Sequence, residues 1–109
     1  MELTNLNTQL IDWKSITPVD TKGKTGVNTA NEFSSGGYRI RLSVYSANYE
    51  SDHWCEKGHI IHCIEGILTI RQKDGNEIHL TEGKSLLLGE NDHHMAVTGD
   101  ESAKIFIID

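Results

Sequence analysis

The sequence predicts an all-β domain, a sandwich or barrel of short strands. From Gly58 to Gly99, six glycines recur at intervals of 6 to 10 residues, a spacing typical of turns between short strands. Asp74-Gly75 lies between two apolar segments and predicts a two-residue type I′ hairpin turn. The one proline, Pro18, lies outside the apolar segments. These segments are residues 60–64, 67–70, 78–80, 86–88 and 105–108.

The length of 109 residues predicts one domain, because a chain of this size supports a single hydrophobic core. Residues 1–37 are expected to form an N-terminal arm and a polar loop, and residues 38–109 the barrel. The loop is placed at 21–37, where Gly, Thr, Asn and Ser predominate. A loop of that length often borders a binding site.

The first clear strand is predicted at Tyr38–Tyr45, where apolar and polar side chains alternate. Ile40, Leu42 and Val44 lie on one face of it. The opposite face and the residues that follow offer groups that would bind a substrate carboxylate if they faced the interior. An outer face exposed to solvent fits the alternation equally well. The groups concerned are Arg39, Arg41, Tyr45 and Tyr49.

The charge balance excludes two classes of partner. The chain has 16 acidic and 10 basic residues and a formal net charge of -6. Nucleic acids and anionic membranes require a basic surface, so neither is expected to bind. No segment has the length of a membrane span or the pattern of a signal peptide. Two cysteines are too few for a disulfide scaffold, and we expect a cytoplasmic protein with both thiols reduced.

Histidine and cysteine are crowded into one part of the chain. All six histidines and both cysteines lie between His53 and His94. His53 and Cys55 are two residues apart, so on an extended chain their side chains point the same way. His59 follows closely, and His93-His94 come later from a distant segment. This spacing fits a metal site and a set of ordinary structural residues equally well, since no standard zinc-finger spacing is present.

The first part of this pattern resembles a motif of the cupins. That motif runs Gly, five residues, His-x-His, three or four residues, Glu, six residues, Gly. Here His53-x-Cys55, three residues, His59, six residues and Gly66 reproduce the spacing. Cys55 stands where the second His is usual, His59 replaces the Glu, and Ala47 replaces the leading Gly.

The second cupin motif is matched at the spacing that matters for a ligand. It runs Gly, five residues, Pro-x-Gly, two residues, His, three residues, Asn. Counting from Gly83 reaches His94. Gly89 and Asn91 replace the Pro and the second Gly, and Thr98 replaces the Asn.

The chain is most similar to a small cupin subgroup described by a D-H-C-W motif, whose letters appear here as Asp52-His53-Trp54-Cys55. The resemblance implies a double-stranded β-helix, which is a jelly-roll barrel, and a homodimer. It also implies one metal ion with four ligands. These are His53, Cys55, His59 and His94.

The two substitutions in the first motif keep the charge of the ligand set. A standard cupin site of three His and one Glu has one anionic ligand, and three imidazoles with the Cys55 thiolate also have one. Sulfur is a softer ligand than a carboxylate, which favours Zn, Fe, Ni or Cu over Mn or Mg. We expect Zn first, with Fe or Ni as alternatives.

Several neighbouring residues are candidates for supporting roles. Asp52 flanks a ligand and would orient its imidazole, although it is equally compatible with a solvated position. Cys63 shares the parity of His59 and is expected to fill the barrel interior or to line the pocket. His93 should point away from His94, toward a supporting or surface position, and His62 is expected on the surface.

Two functions fit these observations. In the first, a mononuclear metal binds a small polar molecule and supports oxygenase- or isomerase-type chemistry. In the second, the protein is not an enzyme, and a closed four-ligand Zn site stabilises the fold. A barrel that binds and senses a small ligand is a further alternative.

Overall fold

The structure is a computed structural model that describes residues 2–109. A short 3₁₀ turn, Trp13–Ser15, precedes the strands, and the described residues contain no helix that is long and apolar enough to cross a membrane. Residues 2–109 form nine strands. They are β1 (Val19–Lys22), β2 (Val27–Ser35), β3 (Tyr38–Tyr45), β4 (His59–Glu65), β5 (Ile67–Gln72), β6 (Glu77–Thr81), β7 (Ser85–Leu88), β8 (His94–Val97) and β9 (Ala103–Ile108).

The strands form two antiparallel sheets, which confirms the predicted all-β class. The larger sheet has the order β1-β2-β3-β9-β4-β7 and the smaller one the order β6-β5-β8. The extended segment 49–55 runs beside β8 and pairs with it at Glu50–Val97 and Cys55–His94. This segment widens the smaller sheet by one chain, so that the two sheets enclose a common interior.

The hydrophobic core fills one part of that interior. Its centre lies where β4 and β9 face β5, and the Cys63 and Ile105 side chains there are fully buried. Burying these apolar side chains supplies the main favourable term in folding, about 25 cal/mol for each Å² removed from water. The most deeply buried members are Ile61, Cys63, Leu68, Ile70, Leu80, Ala103, Ile105 and Ile107.

The face of β3 that carries the arginines points inward. Tyr45 is buried and Arg41 lines the interior, whereas Val44 is exposed. The N-terminal arm packs on the outer face, where the Trp13 ring meets Phe106 edge-on at 6.4 Å between centroids. The Asn31 amide nitrogen also binds two carbonyl oxygens of the arm, those of Trp13 and Ile16.

The prediction of a polar loop at 21–37 is wrong. The structure has a hairpin there, since β1 pairs with β2 and β2 pairs with β3 along its whole length. The inward side chains of β2, including Asn28 and Glu32, line a polar cavity. Because that interior is polar, this strand does not need the apolar alternation that marks an ordinary half-buried strand.

The hairpin at Asp74-Gly75 is present, but its turn type differs from the prediction. β5 and β6 pair up to Arg71 opposite Glu77. The Gln72 N–H also donates to the Asn76 carbonyl oxygen at 2.8 Å, which leaves a three-residue loop, 73–75. Only Gly75 has a positive φ, at 97°, whereas a type I′ turn needs two such residues. A three-residue loop that ends in a left-handed glycine is a common alternative in hairpins.

Candidate metal centre

Three donor atoms converge at one end of the interior. The ligand atoms of Cys55, His59 and His94 all lie within 4.8 Å of one another. The Cys55 Sγ is 3.5 Å from the His59 Nε2. Both histidines are buried, and the cysteine is half-buried. No other group of three such residues within 2–109 meets this distance.

Strand pairing explains why these residues meet. Cys55 and His94 are directly opposite each other and exchange two main-chain hydrogen bonds of 2.8 and 3.0 Å. Their side chains therefore leave the smaller sheet side by side on the same face. His59 begins β4 in the larger sheet, and its ring lies edge-on to that of His94 with centroids 5.0 Å apart. The cluster thus draws ligands from both sheets.

In each histidine the Nδ1 atom faces an oxygen outside the cluster, which leaves Nε2 for the cluster. The His94 Nδ1 lies 2.9 Å from the carbonyl oxygen of Asp92, to which it donates. The His59 Nδ1 lies 3.0 Å from the Asp109 Oδ2. That second contact is close, but its alignment is too poor for a hydrogen bond. A carboxylate or carbonyl behind a ligating imidazole is usual at metal sites and fixes the orientation of the ring.

Asp109 connects the cluster to the two arginines of β3. Its carboxylate accepts hydrogen bonds from Arg39 Nε at 2.9 Å and Nη2 at 2.7 Å, and from Arg41 Nη2 at 3.1 Å. Burial alone would raise the pKa of Asp109, but the hydrogen bond from Arg39 and the nearby positive charges hold this pKa below its ordinary value. Asp109 is therefore ionised at neutral pH.

His59 is neutral at neutral pH, as a metal ligand must be. Burial lowers the pKa of its imidazole to about 4. The negative charge of Asp109 opposes this shift, and the positive charges of Arg41 and Arg39 add to it.

The donor set fits a divalent transition metal. One thiolate sulfur and two imidazole nitrogens are typical Zn ligands. In a tetrahedral Zn site, bond lengths of about 2.3 Å to sulfur and 2.0–2.1 Å to nitrogen place those two atoms about 3.6 Å apart. The observed distance from Cys55 Sγ to His59 Nε2 is 3.5 Å, so these two ligands would need little movement to bind.

A cavity of about 400 Å³ adjoins the cluster, within the usual range for small-molecule sites. The sequence left open whether four candidate substrate-binding residues face the interior or the solvent. All four line the cavity and so face the interior: Arg39, Arg41, Tyr45 and Tyr49. Further lining residues are Asn28, Glu32, Ser51, Ile61, Leu68, Ile70, Ala96 and Ile107.

His53 lines the same cavity but lies outside the three-residue cluster. Its side chain is 76% exposed, and its Nδ1 lies 2.6 Å from the Asp52 Oδ1. This hydrogen bond lowers the pKa of Asp52. The Asp52 side chain is itself 59% exposed, so its role in orienting an imidazole stays a prediction. The role of His53 as a fourth ligand stays a prediction.

Two other candidates lie away from the cavity. Cys63 is fully buried in the core, where its Sγ contacts the carbonyl oxygens of Glu65 and Gly66 at 3.5 and 3.3 Å. Burial raises the pKa of its thiol. His93 points away from His94, and its Nε2 lies 3.7 Å from a carboxylate oxygen of Glu56.

Asp109 is a site residue that was not predicted from the sequence. In the sequence, Asp109 falls at the next position of the alternating set of inward-facing residues of β9, which are Ala103, Ile105 and Ile107. A charged residue at the next inward position is the signal that would have identified it, because an acid there needs partners to be buried.

The chain has no match among family models of protein sequences or among curated protein sequences. Solved structures do match it, and one is titled a sugar phosphate isomerase from a cupin superfamily, from Silicibacter pomeroyi. That structure has a TM-score of 0.70 and 17% identity, and the match covers 92% of this chain and 74% of that one. The chain has a cupin fold.

Two further structures share this cupin fold. Ectoine synthase from P. lautus has a TM-score of 0.73 and 16% identity, with 93% of this chain and 76% of that chain covered. A predicted oxalate decarboxylase from Thermotoga maritima has a TM-score of 0.77 and 11% identity, with 92% and 96% covered. At such low identity the likeness shows the fold, while the activities in these names differ and belong to those proteins. Similarity to the D-H-C-W subgroup stays a prediction.

Proposed function

We propose that this cupin-fold protein binds one divalent transition metal, with Zn favoured over Fe or Ni, and presents it to a small polar molecule. The observation that carries the proposal is the convergence of Cys55, His59 and His94 beside a polar cavity. Three protein ligands leave at least one coordination position free, as is typical of catalytic metal sites. A metal there would polarise an oxygen atom of the bound molecule, which suits isomerase-type reactions, and a redox-active metal such as Fe would also supply the dioxygen activation that oxygenase-type chemistry requires.

The chain's own residues give the cavity two kinds of wall. Arg41 and the hydroxyl group of Tyr49 are polar and would orient a bound molecule. Leu68 and Ile70, both almost fully buried, form an apolar wall that excludes water. Lower water content strengthens every electrostatic contact in the site.

A second function, a closed structural Zn site, is favoured by the position of His53. This residue lines the cavity and precedes Cys55 by two, so a change of its side-chain rotamer could supply a fourth ligand. Four protein ligands suit structural Zn, which stabilises a fold and leaves no position for substrate.

The first test is metal content, measured by elemental analysis of protein purified without added metal. We expect about one metal ion per chain, and the Cys55→Ala variant should lose it because the only anionic ligand of the cluster has been removed. Cys63→Ala is the matched control, since Cys63 is buried in the core away from the cluster. Absence of metal, or equal metal content in Cys55→Ala and wild type, would contradict the proposal.

Coordination number separates the two functions. Cobalt-substituted protein has visible absorption bands that depend on the number and kind of ligands. For an open site, azide or cyanide should change those bands in wild type and in His53→Ala alike. A closed site predicts bands that azide leaves unchanged in wild type and alters once His53 is removed.

A further inference from the structure

The two arginines of the cavity differ in how far their charge is neutralised. Arg39 forms a two-pronged pair with the Asp109 carboxylate and also lies 3.9 Å from Glu32. A guanidinium held in this way has its charge matched and its fork occupied. Arg39 is therefore mainly a structural partner of Asp109.

Arg41 is left with spare binding capacity. Asp109 is its one hydrogen-bond partner among the described residues, reached through Nη2. Its Nε is buried without a partner. Glu32 lies opposite Arg41 in the strand register, but its carboxylate is paired with Arg39. A buried guanidinium with unused donors is costly unless something else binds it.

One wall of the cavity that Arg41 lines is apolar and aromatic. Tyr45 and Tyr49 pack edge to face, with ring centroids 4.8 Å apart, and both are buried. Leu68, Ile70 and Ile107 continue this wall. The cavity thus combines one incompletely paired cation with surfaces that favour a flat or branched hydrocarbon group.

We propose that the cavity binds a small monocarboxylic acid with an apolar body, its carboxylate on Arg41 and its body against Tyr45 and Tyr49. The inference rests on the proposed function in taking this cavity as the binding site, and it adds the class of ligand. A cation would be repelled by Arg41. A phosphate dianion carries two negative charges, and the cavity offers it only one incompletely paired arginine.

Benzoate and benzamide are suitable probes because they have the same shape and differ in charge. We expect benzoate to bind at least about tenfold more tightly than benzamide when binding is measured by calorimetry. Arg41→Gln should lower benzoate affinity by about tenfold or more, and the surface variant Arg71→Gln should not change it. Equal affinity for the two probes, or for Arg41→Gln and wild type, would overturn the inference. The comparison of probes needs only the unsubstituted chain and therefore does not depend on the variant folding.

The same titrations with a chelator and with added Zn distinguish this inference from the proposed function. Binding of benzoate that depends on Arg41 in both states supports the inference, even if no metal binds. A chain that holds Zn but does not bind benzoate in either state would overturn the inference and leave the metal site standing.

Discussion

Asp109 links the three-residue cluster to the arginines of the cavity. Its side chain is only 3% exposed, and it contacts a histidine of the cluster as well as both arginines of the cavity. Asp109 directly follows β9, which lies between β3 and β4 in the sheet. It therefore contacts two arginines of β3 and His59 of β4. A single carboxylate thus contacts His59 and partly neutralises both arginines.

Replacing Asp109 should weaken metal binding without removing a ligand. We expect Asp109→Asn to lower Zn affinity by about 10- to 100-fold, because the amide cannot supply the negative charge behind His59. Competition with a chromophoric chelator measures this, and circular dichroism checks that the variant is folded. Asp20→Asn is the control, since Asp20 lies on the exposed strand β1 and pairs with Thr29. Equal affinity of Asp109→Asn and wild type would show that the carboxylate does not support the site.

Tyr45 makes the free energy of unfolding fall at alkaline pH. Burial raises the pKa of its hydroxyl from 10.0 to about 12. The folded state favours the neutral phenol. The contribution of this phenol to the free energy of unfolding is therefore complete below pH 10 and is lost as the pH rises from 10 to 12. By pH 11 about 1.4 kcal/mol has gone. Urea unfolding at pH 9 and 11 should show this loss, and Tyr45→Phe should show a decline smaller by that amount. An equal decline in both proteins would contradict the assignment.

The residues of the site could be predicted from the sequence only where a local spacing fixes them. Cys55, His59 and His94 fall at the spacing of the cupin motifs, and the structure brings them together. The exposed rotamer of His53 could not be foreseen, because side-chain rotation is independent of spacing. Asp109 escaped prediction because the partners that explain it, such as Arg39, are 70 residues away.

At the scale of the strands, prediction succeeded where one face of a strand is mainly apolar. The predicted strand at Tyr38–Tyr45 and the five predicted apolar segments all fall within strands. β1 and β2 were missed because they border a polar cavity, and β8 is short, with His94 and Ala96 as its buried residues. Alternation of apolar residues detects a strand only when one of its two faces is apolar.

Two glycines in turns give a matched test of strand geometry. Gly66 joins β4 to β5 with φ of 79°, and a Cβ there would collide with the Ser102 carbonyl oxygen. Gly75 has φ of 97° and open space around it. We expect Gly75→Ala to cost about 1–2 kcal/mol in free energy of unfolding and Gly66→Ala about 2–5 kcal/mol. Chemical denaturation measures both, and equal costs would show that the contact with Ser102 is relieved easily.

Across the whole molecule, the cluster of Cys55, His59 and His94 and the cavity lie between the two sheets. Cys55 and His94 belong to the smaller sheet and its flanking segment, and His59 belongs to the larger one. Any ion held by all three would tie the sheets together at this end, as the core does elsewhere. The site is therefore placed to contribute to stability as well as to ligand binding. The homodimer expected from the resemblance stays a prediction, which sedimentation would test.

The central position of β9 has a consequence for how the chain folds. β9 is the ninth strand in sequence, yet it lies between β3 and β4 in the larger sheet. Until it inserts, those two strands have unpaired edges, and the contacts that close the gap join residues up to 70 positions apart. Closing such long loops slows folding, and open edges invite pairing with other chains. We therefore expect slow insertion of β9, and it is during this step that the protein would be most prone to aggregate.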